Sequence, residues 1–487
     1  MPVSRQLVLH HKRTRMSNSA EDGLALLNVR FDELPAQTAV IGTGGIRFCD
    51  APPAGLPVVD AQGGRLIPGL IDHHVHLMAA AVATTSIDLS HLSGDDMSAL
   101  SDVLRGAAAT GRIRAVGLDD QNGPLLDARR IDAMVSAVPV RIQYRTGSLW
   151  VLNSIGLDEA LDGLEIVPEA FERDSAGRLT GRVWRGDHWL RRPAATAPSM
   201  AALGRDLARW GVTSVTDASA TTDQAQAQCL ALAARDVLPQ RLTLMSGEDL
   251  ISSQGYRVGP VKLLLDDSSL PELSYVVAMI RWARSVGRSV AAHCVTPAEL
   301  ALMLAAWEQA GVAAGDRVEH GAQIPESFLP GLAALGVTVI ANPGFVFSRG
   351  DRYLARIGKQ EQSEICRLAS LQRAGIALAA GSDAPYGPLN PWVAVRAAVS
   401  RSTQCGATLG IDEQLSGRAA LALFSGTAER PGAPVSRAEF EAAADVAILK
   451  PDALVGVDLD PVAATFIGGR LIYACDEIRA QIPVGLQ

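Results

Sequence analysis

The chain has 487 residues, of which 48% are hydrophobic and 20% charged, and its formal net charge is −8. This composition excludes a disordered or fibrous chain and leaves room for one large core plus a smaller module. The acidic balance argues against nucleic acid as a partner, and no stretch is long and apolar enough to span a membrane. Six cysteines (Cys49, Cys229, Cys294, Cys366, Cys405, Cys475) lie without CxxC spacing, as reduced thiols in a cytoplasmic enzyme would. The basic run His10-His11-Lys12-Arg13-Thr14-Arg15 is followed by no apolar segment, which argues against a secretory signal.

Short strands broken by Gly and Pro open the chain, at residues 24–29, 38–41 and 46–49, with Pro52-Pro53 and Gly63-Gly64 as breaks. A matching piece closes it, at 446–449 and 465–473, with Gly468-Gly469 as a two-residue hairpin turn. The pattern predicts a composite β-sandwich from residues 1–66 and 427–487; two unrelated terminal hairpins are the alternative it leaves open.

Next comes an apolar strand, residues 66–76, ending in Asp72-His73-His74-Val75-His76. Strand side chains alternate faces, so His74 and His76 share a face and His73 is out of phase. Two imidazoles at a strand end can chelate a divalent cation, usually zinc, although the triplet alone is a weak signal. Residues 77–210 are too many for one loop and read as an insertion. Beyond them, strands at 211–217, 241–245, 261–265, 289–293, 317–320, 337–342 and 377–383 alternate with helical stretches such as 275–286 and 297–309. With the first strand these make eight, predicting an α/β fold: a (β/α)8 TIM barrel over residues 67–426, its site at the C-terminal strand ends.

Those ends carry His74, His76, Lys262, His293, His320 and Asp383. Each alone is by default a satisfied structural residue. Together at one rim they read as a metal site.

The order of these residues resembles the amidohydrolase superfamily. The wording of Ile67-Pro68-Gly69-Leu70-Ile71-Asp72, Gly211-Val212-Thr213-Ser214-Val215, Arg317-Val318-Glu319-His320 and Gly381-Ser382-Asp383-Ala384-Pro385 is similar to the subgroup that includes N-substituted formamide deformylase, over about residues 24–473. The resemblance implies a barrel with a composite β-sandwich and hydrolysis of an amide or related C–N bond (N-acyl or N-formyl amine, or cyclic amide) by metal-activated hydroxide. It implies one metal on His74, His76 and Asp383, a second on His293 and His320, a bridging carbamate on Lys262, and proton transfer by Asp383. A single-metal arrangement on His74, His76, His293 and Asp383 stays open, with His320 polarising and Lys262 structural or substrate-pairing. Three departures separate the chain from the subgroup, one being the strand-four motif Leu265-Asp266-Asp267, which lacks its usual glycine. Arg145-Thr146-Gly147-Ser148 stands where Asp-Gly-His is common, and His293-Cys294-Val295-Thr296 where His-Ala-x-Gly-Asp is.

For substrate contacts the candidates are Arg145, Trp150, Trp184 and His188 in the insertion, where an aromatic core is the equal alternative, and Asn342 and Tyr386 after strands seven and eight. Cys294 and Glu319 are expected to face away from the axis, Cys294 in packing and Glu319 in a helix-facing ion pair or in support of a ligand rather than as one, and Asp72 and Asp217 to anchor loops. A single-metal deaminase, for which only Glu299 follows strand five, and a lactone or ester hydrolase are the competing activities; a non-catalytic barrel would have no need of five such residues at one rim. The expected partner is a small-molecule substrate, and a homo-oligomer is compatible with the sequence.

Overall fold

The structure, a computed structural model, describes residues 23–31, 35–92, 95–119, 125–190 and 199–483, except the side chains of Asp187 and His188. The basic run at 10–15 lies outside them.

Eight strands pair in parallel and in chain order: β1 Leu70–Val75, β2 Val212–Asp217, β3 Arg241–Ser246, β4 Arg257–Leu263, β5 Val290–Cys294, β6 Arg317–His320, β7 Thr338–Ala341 and β8 Leu378–Ala380. They are the eight expected, and the barrel is nearly closed. Val261, Leu263 and Leu265 from β4 and its end, Ala292 and Cys294 from β5, and Val318 from β6 form one buried core with residues of the helices Leu273–Ser285 and Pro297–Ala310. By alternation the residues between them, Lys262, His293 and Glu319, face the barrel axis. The second of these helices starts where the sequence caps it: Thr296 accepts from Glu299 N, Glu299 reaches back to Thr296 N, and Pro297 occupies the first turn.

β1 and β8 meet without a strand ladder. Leu423 O accepts from Ala380 N and Phe424 O from Ile71 N, both at 2.8 Å. Nearer the rim, Asp383 N donates directly to His74 O at 2.7 Å. Gly381 makes that approach possible, since a Cβ there would lie 2.4 Å from His74 Cβ.

The expected first strand is in fact two. Arg65–Pro68 pairs antiparallel with Val446–Leu449, and only Leu70–Val75 belongs to the barrel. Gly69 is the crossing point: its N–H bonds Asp445 O at 2.8 Å, and a Cβ would stand 2.3 Å from Thr213. The two chain ends meet in one hydrogen-bonded path of strands, with Leu26, Ile41 and Leu66 sharing a core with Phe440, Ile448 and Phe466. Gly468 and Gly469, at φ +55° and +75°, make the hairpin turn that both positive dihedrals require.

The insertion carries its own six-stranded sheet between residues 87 and 184. Arg185 joins it to the barrel through an ion pair with Asp266, just past β4, at 2.7 Å. Among the described residues no helix is long and apolar enough to cross a membrane. Placing a methyl at the crossing point should be costly: Gly69→Ala is expected to destabilise the fold by about 1–3 kcal/mol, as overpacking does. A denaturant melt of the variant indistinguishable from that of the parent chain would contradict this account of Gly69.

Candidate metal centre

β1 delivers His74, fully buried, to the rim, and His76 follows as the residue that starts the helix Leu77–Ala83. The other side comes from the loop after β8. There Asp383 sits at φ +53°, and the N–H groups of Tyr386 (2.8 Å) and Gly387 (3.1 Å) bond its carbonyl. His320 ends β6 at φ +72°. Two non-glycine residues in the left-handed region cost about 1–2 kcal/mol each, and such strain concentrates at functional sites.

These turns converge the donors. Asp383 Oδ1 lies 3.2 Å from His76 Nε2 and 3.5 Å from His74 Nε2, and Asp383 Oδ2 lies 3.9 Å from His320 Nδ1. Ligand atoms of His74, His320 and Asp383 all fall within 4.8 Å of one another. The His293 ring stands 4.6 Å from that of His320, centroid to centroid. Lys262 projects from β4, 3% exposed. Neither Lys262 Nζ nor His74 Nε2 has a hydrogen-bond partner among the described residues. Leaving a buried polar atom unpaired is costly, so these atoms fit a bound group. Imidazole nitrogens with a carboxylate are the donor set of a zinc-type cation.

Each histidine nearest Asp383 is engaged through Nδ1. His74 Nδ1 donates to the Glu319 carboxylate, His76 Nδ1 meets Ser219 Oγ at 3.0 Å, and His320 Nδ1 donates to Asn342 Oδ1 at 2.7 Å. The amide orientation of Asn342 is set by Nδ2 donating to Gly381 O at 3.0 Å. Glu319 and Asn342 thus lie on the Nδ1 side of His74 and His320, away from Nε2.

Burial pushes His74 down to about 3, His293 well below the usual histidine range, and His320 down as well, so these rings stay neutral. Burial also lowers Lys262, with Arg317 adding to the effect. Against the cost of burial, the close approach of His76 Nε2 holds Asp383 well below the carboxylate range. Glu319 is likewise held down, by Arg317, Lys262 and His74.

Glu319 corrects one expectation. Alternation counted back from His320 turns it toward the helices, yet it lies on the barrel axis with Arg317. The left-handed backbone at His320 swings that ring inward too, so neighbours in sequence point the same way. Val318 was the available signal: it packs in the outer core, so the charges on either side must face inward. His73 is out of phase as expected, its Nε2 on Ser425 O at 2.9 Å, and Cys294 is buried in the outer core. Asp72 anchors the rim by accepting from Ser382 N (2.9 Å) and His74 N (3.1 Å). Asp217 does the same for Leu77 N (2.8 Å) and Ser219 N (3.0 Å). Glu299 spends both carboxylate oxygens on the N–H groups of Asp267, Val295 and Thr296.

The substrate candidates divide. Trp150 is in the core of the insertion, between Arg114 and Arg141, not at the rim. Trp184 is 42% exposed and bonds Glu172 (2.7 Å), Arg145 bonds Ser90 O (2.6 Å), and the side chain of His188 lies outside the described residues. Asn342 supports His320. Tyr386 is at the site, edge-on to His76 with centroids 5.6 Å apart. The insertion reaches it at Gly147, where a Cβ would lie 2.3 Å from the Tyr386 ring. Sequence reading missed Leu264 and Val295. They follow Lys262 and His293 by two residues, just past the ends of β4 and β5, and are 52% and 39% exposed.

Comparison with known proteins identifies the family and the fold. Residues 57–473 match the amidohydrolase family. The N-substituted formamide deformylase of Arthrobacter pascens is 25% identical over 457 residues, covering 80% of this chain and 83% of that one. Among solved structures, an uncharacterized metal-dependent hydrolase from Pyrococcus horikoshii OT3 superposes with a TM-score of 0.68 at 21% identity, over 89% of this chain and 99% of the other. A 5-methylcytosine deaminase from Klebsiella pneumoniae gives 0.51 at 15% identity, over 93% and 98%. The chain belongs to the amidohydrolase family and is a hydrolase acting on carbon–nitrogen bonds.

Proposed function

We propose that His74, His76, His293, His320 and Asp383 hold the divalent metal of this hydrolase, zinc in this chain, and that the substrate is a small N-acyl or N-formyl amine, or a cyclic amide, with an uncharged substituent. The observation that carries the reading is the convergence of His74 Nε2 and His76 Nε2 on Asp383 Oδ1, with both Nδ1 atoms engaged elsewhere. A divalent cation bound there supplies a water of lowered pKa and polarises the scissile carbonyl. Asp383, kept ionised, takes the proton of that water on a carboxylate oxygen and delivers it to the departing amine nitrogen. Asn342 and Ser219 keep the His320 and His76 rings in place. We take Leu264 and Val295, exposed just past the ends of β4 and β5, as the apolar side of the substrate site, suited to an uncharged alkyl or aryl group. The relative named for N-substituted formamides supports that chemistry without fixing the substituent.

For Lys262 we favour N-carboxylation, which would add a carboxylate ligand and would let the site hold two metal ions. Burial lowers the ammonium against the pull of Glu319 and Asp383, and the amine in its neutral form can attack carbon dioxide, form an N–C bond and release one proton. The enzyme is assigned to the cytoplasm on its six unpaired cysteines.

Elemental analysis of protein purified without chelator should give two equivalents of zinc per chain, falling to one in Lys262→Ala. His74→Ala and Asp383→Ala should each lose at least about 100-fold in kcat/KM, more than displacing an outer partner of a ligand costs. Amide hydrolysis by protein free of bound metal would overturn the reading. Across a panel of N-acyl amines, N-formyl compounds, hydantoin-like rings and lactones, turnover is expected with the amides. Leu264→Ser should raise KM about tenfold for amides with apolar substituents, from the lost burial of one leucine, and leave small formamides unaffected. An equal KM change for both groups would remove the apolar side from the account.

A further inference from the structure

The barrel axis holds a buried charge pair beside the proposed metal site. Glu319 and Arg317 are 0% and 1% exposed, two residues apart on β6, with Arg317 Nε donating to Glu319 Oε1 at 2.6 Å. The other carboxylate oxygen accepts from His74 Nδ1. Arg317 Nη2 reaches across to β1 and donates to His73 O at 3.2 Å. The result is a closed ring of contacts: the β1 main chain at His73, the guanidinium, the carboxylate, and the His74 imidazole.

Stability does not account for such a pair. Removing two charges from water costs several kcal/mol per ion, and buried ion pairs are often replaceable by apolar residues at no loss of stability. What the ring does accomplish is directional. Arg317 holds Glu319 by one oxygen and the His74 backbone by the preceding carbonyl. The free oxygen can only accept a hydrogen bond, which places the ring proton on Nδ1 and turns Nε2 toward Asp383.

We propose that Glu319, held by Arg317, is the positioning residue that sets the tautomer and orientation of His74 for metal binding. This rests on the metal-site reading above. The isosteric variant Glu319→Gln makes a specific test. Arg317 Nε would keep the amide oxygen, so the amide NH2 would face His74 Nδ1. Nδ1 would then have to accept, the ring proton would move to Nε2, and the metal-facing nitrogen would be blocked.

The experiment titrates apo protein with cobalt(II), read by its visible d–d spectrum, and with zinc(II) by competition against a chelator. Four chains are compared: the parent, Glu319→Gln, the apolar pair Arg317→Met with Glu319→Leu, and His74→Ala. Circular dichroism melts of the apo forms accompany the titrations. Glu319→Gln is expected to weaken binding 10–100-fold, the range found when outer partners of metal ligands are removed, with an altered cobalt spectrum. The apolar pair should melt no lower than the parent and still bind weakly. Parental affinity and spectrum in Glu319→Gln, while His74→Ala loses binding, would overturn the positioning role alone. Parental binding in His74→Ala would overturn the metal-site reading, and the positioning role with it. Should either variant melt early, an unchanged metal affinity of its folded fraction still counts against the proposal.

Discussion

Residues 381–384 lie against the end of β1, and everything at the rim depends on that contact. Asp383 N bonds His74 O, His76 N bonds Ala384 O, and the buried Asp72 carboxylate accepts from both His74 N and Ser382 N. Burial raises that carboxyl to about 6, against the pull of the two donors. One set of hydrogen bonds therefore closes the barrel seam and sets the acid beside the histidines. Gly381 is small because His74 is there. The dependence is mutual: a wider seam would move Asp383 out of reach of both Nε2 atoms.

The charges inside the barrel form a second constraint. Arg317, Lys262, Glu319 and Asp383 share an interior where the three rings of His74, His293 and His320 are held neutral by burial. Lys262 and Arg317 stand in one row across β4 to β6, with only Ala291 between them. Two buried cations in one row disfavour each other, and the lysine is the one that can give up its proton. Burial and Arg317 lower the Lys262 ammonium, while Glu319 and Asp383 pull it the other way.

Much of this was legible in the sequence, for identifiable reasons. Strands buried on both faces appear as short apolar runs, so all eight barrel strands were placed, and the polar residues ending them stood out. What failed depended on contacts between distant residues. Nothing local marks Gly69 as a change of sheet; the crossing is set by Thr213 and Asp445. Glu319 was misplaced because alternation was counted from His320, whose left-handed backbone breaks it. Trp150 and Trp184 could equally cap a site or fill a core, since composition is the same either way. Only packing on Arg114 and Arg141 assigns Trp150 to the core. Leu264 and Val295 read as ordinary strand residues until their exposure just past the ends of β4 and β5 is seen.

The central claim, that the Nε2 faces of His74 and His76 and the carboxylate of Asp383 hold a metal ion, is tested most directly by anomalous diffraction. Crystals of protein purified without chelator would be measured on both sides of the zinc absorption edge. The account predicts an anomalous peak within coordination distance, about 2.0–2.2 Å, of both Nε2 atoms and an Asp383 oxygen. A difference map without such a peak, with His74 Nε2 and His76 Nε2 hydrogen-bonded to Asp383 or to water instead, would contradict it.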